Sequence, residues 1–184
     1  MKPRTLVVID QVAGEPVTLS EAKRQVGILD EQTEHDSLLS AAALAGRRLI
    51  EQRLGVALVQ KQLRVRWDAG TEFLSLPYTP LLSGQVLLVQ IGDAVPLAAA
   101  SYEVDEDARP VTVRLLVPAT EDPMAEYWVG PDSPDDVDPL IKSALLMFVE
   151  HQFSHRGIMT NTGFQELPQG FEMMLAASSV SGAY

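Results

Sequence analysis

The chain has 184 residues, of which 46% are hydrophobic, and it contains no cysteine. This length is sufficient for one well-buried core, and the absence of cysteine excludes disulfide bridges and thiolate metal sites. No apolar run reaches the roughly 18 residues that a membrane-spanning helix needs, so we expect a soluble protein that does not enter a membrane.

The net charge of -11 is unevenly distributed along the chain. Residues 1–70 contain 10 Lys and Arg against 9 Asp and Glu, whereas residues 71–184 contain 4 against 16. Because an acidic surface repels phosphate groups, sequence-specific binding to nucleic acid is not expected. The two parts of the chain are expected to face different partners, although solvated acidic loops would give the same composition.

The N-terminal region begins with a β-branched run at residues 5–9, which predicts a strand or an arm. Thr18 and Glu21 then have the spacing of a capping box, in which each residue satisfies a backbone N–H of the other. A short helix is therefore predicted from this box to about Val26.

A second helix is predicted to begin near Thr33 or Asp36 and to end at Leu54, with Gly55 as its C-terminal cap. Its predicted buried face is mostly small, and small residues allow another helix to approach closely. This face consists of Leu38, Leu39, Ala42, Ala43, Ala45, Gly46, Leu49 and Ile50.

From residue 57 onwards the hydrophobic pattern changes to a period of two, which predicts β-strands. The first strand is expected to place Val59, Leu63, Val65 and Trp67 largely on one face. Further strands are predicted at 73–76, 86–91, 101–104, 111–117 and 125–129. The short connections between them favour hairpins, so we expect an antiparallel β subdomain of about five to seven strands.

A long helix is predicted from Asp138 to Gly157, with Pro139 at its first position and Gly157 just beyond its end. Its apolar stripe is unusually wide, so we expect this helix to form the centre of the core and part of it to lie near a subunit boundary. A short last helix is predicted from Pro168, followed by a weakly held tail from Ser178 to Tyr184.

Together these elements predict an α+β fold, in which a bundle of about four helices carries an inserted antiparallel β subdomain. We predict a single domain over residues 1–184. Its helical core would comprise residues 17–55 and 138–177, and its inserted β region residues 57–130.

The residue pattern offers little support for catalysis. His151 and His155 have a spacing that can hold zinc, but the Glu that zinc proteases place directly after the first His is Gln152 here. Ser143 and Ser154 lack the strand–turn–helix context of a hydrolase nucleophile, and no Gly-rich phosphate loop is present. We therefore expect no enzymatic activity and no cofactor.

Two acidic clusters, at residues 103–107 and 132–138, have some of the carboxylates that a calcium loop requires. Neither cluster ends in the Gly and Glu of such a loop. Solvated turns are the expected interpretation of both clusters.

Several short stretches occur in a characteristic order along the chain. They are VTLSEAK at 17–23, DSLL at 36–39, IEQRLG at 50–55, LPYTPL at 76–81, YEVD at 102–105, YWVG at 127–130, VDPLIKSALL at 137–146, HR at 155–156 and LP at 167–168. In this order the chain resembles the head–tail connector (adaptor) family of tailed bacteriophages, which also occurs in prophages and gene transfer agents.

The resemblance implies a helical bundle with an inserted β region, no enzymatic activity, and a twelve-fold ring beneath the portal protein. Such a ring would join the DNA-filled capsid to a downstream connector or tail protein and would line the DNA exit channel. The acidic charge agrees with passive, non-specific contact with exiting DNA, because a conduit should not hold its cargo. The resemblance also implies a location in the virion, and in the host cytoplasm before assembly.

Two sets of residues are candidates for interaction sites. An apolar set on the last helix and the tail is the candidate for docking to the portal, although ordinary packing on the bundle would explain it equally well. A charged set is the candidate for contacts between subunits, in which basic residues of the second helix meet a neighbour's acidic turn. The docking set is Phe171, Met174, Leu175 and Tyr184. The subunit-contact set is Arg47, Arg48, Arg53, Asp132, Asp135 and Asp136.

Two other classes of function remain open at this point. The acidic charge would also suit a cytoplasmic binding module, such as an inhibitor that mimics nucleic acid. An uncharacterised hydrolase is the third hypothesis.

Overall fold

The computed structural model describes residues 3–12, 14–82, 87–92, 95–155 and 168–180. These residues form seven strands, four α-helices and two short 3-10 helices, which confirms the predicted α+β class. The chain divides into two compact units, here called the β unit (Met1–Ala13 and Gly55–Asp132) and the helical unit (Gly14–Leu54 and Ser133–Tyr184). The prediction of one connector domain remains a prediction.

The β unit consists of two antiparallel sheets. The first has the strand order β1-β2-β7-β4, and the second has the order β3-β6-β5. The strands are β1 (Thr5–Gln11), β2 (Lys61–Arg66), β3 (Phe73–Ser75), β4 (Leu88–Ile91), β5 (Tyr102–Asp105), β6 (Thr112–Leu115) and β7 (Pro123–Val129). The predicted strands are confirmed with changes of one to three residues at their ends, except that residue 86, where one was expected to begin, lies outside the described residues.

The two sheets share one hydrophobic core, which contains Leu63 and Val65 of β2 and Val113 of β6. The predicted inward face of the first strand is confirmed, because Val59, Leu63, Val65 and Trp67 are all buried. Burial of each large apolar side chain stabilises the fold by roughly 1.5–3 kcal/mol, so this core is the main source of stability in the β unit.

Strand β1 lies outside this core. It pairs with β2 from Thr5 opposite Arg66 to Gln11 opposite Lys61, with an irregularity between Val8 and Asp10. All seven of its residues are exposed. The N-terminal run, for which the sequence left a strand or an arm open, is therefore a strand at the edge of the first sheet.

The helical unit contains α1 (Leu19–Gln25), α2 (Asp36–Leu54), α3 (Pro139–Ser154) and α4 (Gln169–Val180). The predicted capping box is confirmed: the Thr18 N–H donates to Glu21 at 2.6 Å, and the Glu21 N–H donates to the Thr18 hydroxyl at 3.2 Å. The Glu21 carboxylate also accepts the Thr18 hydroxyl at 2.8 Å, and the two hydrogen bonds that it accepts from Thr18 lower the pKa of Glu21.

The ends of the two long helices follow the predicted rules where the structure describes them. The carboxylate of Asp138 accepts the Leu140 N–H at 2.8 Å, and Pro139 occupies the first position of α3. Gly55 has a φ of +68° just beyond α2, which a residue with a side chain would adopt only with strain. Gly157, the predicted cap of α3, lies outside the described residues.

Helices α2 and α3 approach each other at Gly46. A Cβ atom there would lie 2.7 Å from Cδ1 of Leu145 and 2.7 Å from Cδ1 of Phe148, so only glycine permits this distance. The predicted small face of α2 is therefore confirmed at this point. It is wrong at Leu38 and Ala45, which are exposed, because the buried face is rotated towards Arg47 and Glu51.

The last helix extends further than predicted. Phe171 and Leu175 are buried, which confirms its expected apolar side. The predicted start of a weakly held tail at Ser178 is wrong, because Ser178 is a buried helical residue whose hydroxyl donates to the Leu175 carbonyl at 3.1 Å.

Candidate interaction surfaces

The apolar docking candidates on α4 fall into two groups. Phe171 is fully buried, with its ring centroid 6.1 Å from that of Phe148, and Leu175 is also buried. Their side chains hold α4 within the helical unit. Met174 is half-buried, and its neighbour Met173 is 72% exposed, so both methionines offer apolar surface to solvent.

Tyr184, the remaining docking candidate, lies outside the described residues.

Arg47, the first basic candidate, is buried inside the helical unit. Its Nε donates to Glu15 at 2.7 Å, and its Nη1 donates to Glu51 at 3.1 Å. Only 2% of the Arg47 side chain and 5% of the Glu51 side chain are exposed. The guanidinium therefore neutralises carboxylates of its own chain and joins the segment before α1 to α2.

The other two basic candidates lie nearer the surface. Arg48 is exposed. Arg53, at the end of α2, forms an ion pair with Glu172 of α4, and its guanidinium lies 5.9 Å from the ring centroid of Phe171. Arg48 and Arg53 are thus both at the surface, and Arg53 is engaged by residues of its own chain.

The acidic candidates occupy the turn before α3, and all three are exposed. Asp136 accepts the Ser133 N–H at 2.9 Å and so closes a short 3-10 turn that places Asp135 and Asp136 together. Asp135 lies 3.8 Å from the Lys142 ammonium group, but its side chain is 99% exposed. Exposed pairs of this kind contribute little to stability, so these carboxylates remain accessible to a partner.

The two histidines at the end of α3 lie close to each other. The ring centroids of His151 and His155 are 4.4 Å apart, and Nδ1 of His155 lies 2.8 Å from the His151 carbonyl oxygen. Burial, followed by the nearby charge of His155, lowers the pKa of His151. Within the described ranges, no three His, Cys, Asp or Glu side chains are placed to hold a metal ion.

Two further features bear on the other hypotheses. The hydroxyl of Ser143, one of the two serines considered as nucleophiles, donates to the Pro139 carbonyl at 2.8 Å. In the part of the chain that the structure describes, no helix is both long and apolar enough to cross a membrane.

Sequence reasoning missed two features that the structure makes prominent. The first is the buried Arg47 cluster, for which the signal was the spacing of four residues between Arg47 and Glu51 on one helix. The second is the exposed apolar strand β1, for which the signal was four consecutive apolar residues, Leu6 to Ile9, with no polar alternation.

No family model and no curated protein matches this chain. Among solved structures, it is similar to chains in two structures of the neck of a gene transfer agent (GTA) particle. One is the neck of the empty particle computed with C6 symmetry, with a TM-score of 0.72, 18% identity and 94% of both chains covered. The other is the neck of the native particle computed with C12 symmetry, with a TM-score of 0.64, 18% identity and 91% and 92% covered.

A chain in the virion structure of the native GTA particle is similar too, with a TM-score of 0.71, 18% identity, and 94% of this chain and 93% of that chain covered. At this identity the likeness establishes the fold, and it extends over nearly the whole length of both chains.

Proposed function

We propose that this chain is a structural protein of the neck of a phage-like particle, where it acts as a head–tail adaptor. The observation that carries the proposal is the fold similarity to a chain of a GTA particle neck, at a TM-score of 0.72 over 94% of each chain. The order of the short sequence stretches, which resembles the connector family, supports it independently. The role is assembly of the virion, without a chemical reaction.

In this role the chain forms a ring of twelve copies beneath the portal protein. The C6 and C12 symmetries of the two similar neck structures support a cyclic arrangement. A cyclic ring needs two different, complementary surfaces on each subunit, because each copy contacts a neighbour on both sides. Exposed Arg48 and the exposed carboxylates of Asp132, Asp135 and Asp136 are suitable opposite charges for fixing the register of such contacts.

The partners on the ring axis would be the portal protein on one side and a downstream connector or tail protein on the other. The surface proposed for the portal is the exposed part of α4, at Met173 and Met174, because methionine side chains adapt to irregular apolar surfaces. Phe171 and Leu175 would keep the helix in position. A ring of subunits with net charge -11 would surround exiting DNA without binding it tightly.

The decisive experiment is deletion of the coding gene in the cell that produces the particles. Electron microscopy of the particles should then show heads without tails, and complementation with the intact gene should restore complete particles. Mass spectrometry of wild-type particles should find this chain in the same copy number as the portal. Complete particles without the chain, or tight binding of the purified chain to a basic nuclease, would instead favour the acidic binding module.

The docking surface has its own variant test. Met173→Asp should weaken co-purification with the portal, because a carboxylate would be buried against an apolar surface. Gln169→Asp is the matched control, since it adds the same charge at an exposed position of the same helix. Portal binding by Met173→Asp that is as strong as that of the unsubstituted chain would rule out Met173 as part of the contact.

A further inference from the structure

Strand β1 exposes an apolar surface that the fold of its own unit does not use. Leu6, Val7, Val8 and Ile9 are 38%, 53%, 47% and 41% exposed, although each is an aliphatic residue in a hydrogen-bonded strand. Because successive side chains of a strand point to opposite faces, apolar groups are exposed on both faces of the sheet at this edge.

Such an edge is unusual in a protein that acts alone. Edge strands are normally protected by charged residues, proline or short length, because their unpaired backbone groups accept strands from other chains. β1 is seven residues long, and its only charged residue is Asp10. A strand added alongside β1 would bind its backbone and would also contact its side chains on both faces. A partner packed on one face would leave the other face exposed.

The charges around β1 indicate the chemistry of the partner. Arg4, β1 and β2 together contain four basic residues, of which Lys61 is buried, and one acidic residue, in a chain whose net charge is -11. Arg4 pairs with Asp122 and Arg64 pairs with Glu126, but these guanidinium side chains are 57% and 49% exposed. Because exposed ion pairs are weak, the same groups are able to bind carboxylates of a partner.

The chain itself contains an acidic edge strand, β5, whose properties complement those of β1. β5 lies at the edge of the second sheet, and its residues Glu103, Val104 and Asp105 are exposed. Residues 102–109 contain four acidic residues and one basic residue, which is the reverse of the balance around β1. β5 thus combines an edge position, an exposed valine and the opposite charge.

We propose that β1 of one copy pairs with β5 of the next copy, so that the two sheets join across the contact between subunits. The contact is head-to-tail, because the two strands are different surfaces of the same chain, and head-to-tail contacts generate rings when the rotation closes. This inference rests on the proposed ring and names the surfaces that hold it together. The hydrogen bonds between the strands fix the direction of the contact. Because the charge around β1 is basic and that of β5 is acidic, pairing of β1 with β5 is favoured over pairing of β1 with a second β1.

The absence of cysteine makes the contact directly testable. Val7→Cys and Val104→Cys each introduce a single thiol, at an exposed position of β1 or β5. The two variants, one with an affinity tag, are mixed in equal amounts at high concentration and treated with a bis-maleimide. The spacer of this cross-linker is long enough to join the two thiols in either register of the paired strands. A mixed dimer links one chain of each variant, and a like dimer links two chains of the same variant. Random collision would yield as many mixed dimers as like dimers of both kinds together, whereas the proposed pairing yields a several-fold excess of the mixed dimer.

The control replaces Val7→Cys with Val95→Cys, which is in the β unit, 82% exposed and outside both strands. This mixture should give the random ratio. Adding Val8→Asp to the Val7→Cys chain should abolish the excess, because the pairing would bring a carboxylate against the acidic residues of β5. A random ratio for Val7→Cys with Val104→Cys overturns the proposal, and so does a dominant Val7→Cys like dimer, which would mean that β1 pairs with itself.

The outcome is separable from that of the proposed function. If the strand pairing is wrong but the neck role is right, the gene deletion still yields heads without tails, while the mixed dimer shows no excess. If the neck role is wrong but the pairing is right, the excess is found and the deletion leaves the particles complete.

Discussion

The two units of this chain differ in what they leave exposed. The helical unit buries a complete ion pair between Arg47 and Glu51, and its helices α2 and α3 approach to the limit that Gly46 permits. The β unit buries a complete core between its two sheets but leaves a whole strand, β1, outside that core. Each helix of the helical unit thus buries part of its surface, whereas β1 of the β unit is exposed along its whole length.

This difference can be measured because the two units carry different optical probes. Both tryptophans of the chain, Trp67 and Trp128, belong to the β unit, whereas the α-helices belong to the helical unit. During denaturation, tryptophan fluorescence therefore reports on the β unit, and the circular dichroism of helices reports on the helical unit. A destabilising substitution in the helical unit should therefore shift the denaturation curve followed by circular dichroism before it shifts the curve followed by tryptophan fluorescence.

The largest effect is expected for Arg47→Met. It removes the guanidinium that neutralises Glu51, whose side chain is only 5% exposed. Removing one partner of a buried ion pair costs about 3–5 kcal/mol, and we expect a loss of this size in the free energy of unfolding of the helical unit. Urea denaturation followed by circular dichroism measures it.

The matched control is Arg48→Met at the exposed neighbouring position, where we expect a change of less than about 0.5 kcal/mol. Glu51→Gln in the Arg47→Met background should recover part of the loss, because it removes the uncompensated charge. Equal losses for the two arginine variants would show that burial of Arg47 is not what stabilises the unit.

Leu145→Ala tests the apolar contacts of the same unit. Leu145 is fully buried on α3, so its truncation should lower the free energy of unfolding by about 2–5 kcal/mol through lost burial and the cavity left behind. Leu140→Ala on the same helix is the control, because Leu140 is 40% exposed and should cost far less. A similar cost at both positions would contradict the assignment of the buried face.

Gly46→Val tests the close approach of α2 and α3. Its Cβ would meet Leu145 and Phe148 at 2.7 Å, and overpacking of this kind typically costs about 1–3 kcal/mol. Ala45→Val introduces the same β-branched side chain at the adjacent exposed position and so measures the helix propensity alone. If Gly46→Val costs no more than Ala45→Val, the two helices have room to separate.

Local signals in the sequence predicted the helix ends well. The Thr18 and Glu21 box, the Asp138 cap and Gly55 were all identified from neighbouring residues, because a cap is satisfied within one turn of the chain. The alternation after residue 57 likewise predicted the inward face of β2, since the core imposes a period of two on a strand with one buried face.

Features that depend on distant residues were harder to predict. The pairing of β1 with β2 joins residues 50 to 61 positions apart, from Gln11 with Lys61 to Thr5 with Arg66, and nothing near β1 indicates its partner. The position of Arg47 inside the helical unit depends on Glu15, which is 32 residues away. Because arginine is usually exposed, sequence reasoning assigned Arg47 to the surface with Arg48. Only the structure separates these two adjacent arginines, because it places Arg47 in the interior and Arg48 on the surface.

The smallest expected effect concerns the histidines at the end of α3. Burial, followed by the charge of His155, holds the pKa of His151 below its ordinary value. His155→Ala removes the second cause, so the pKa of His151 should rise while remaining below the ordinary value, as NMR titration of the ring protons would show. The fold should remain intact, because His155 follows the last residue of the helix.

The direction of the accompanying pH effect follows from the depressed pKa. The unfolded chain takes up the His151 proton at a higher pH than the folded chain does, so stability decreases as the pH falls through the ordinary histidine pKa of about 6.5. His155→Ala should make this decrease smaller, because the two pKa values of His151 come closer together. An unchanged His151 titration in the variant would mean that burial alone lowers its pKa. Loss of the helical signal would instead mean that α3 needs His155 to keep its fold.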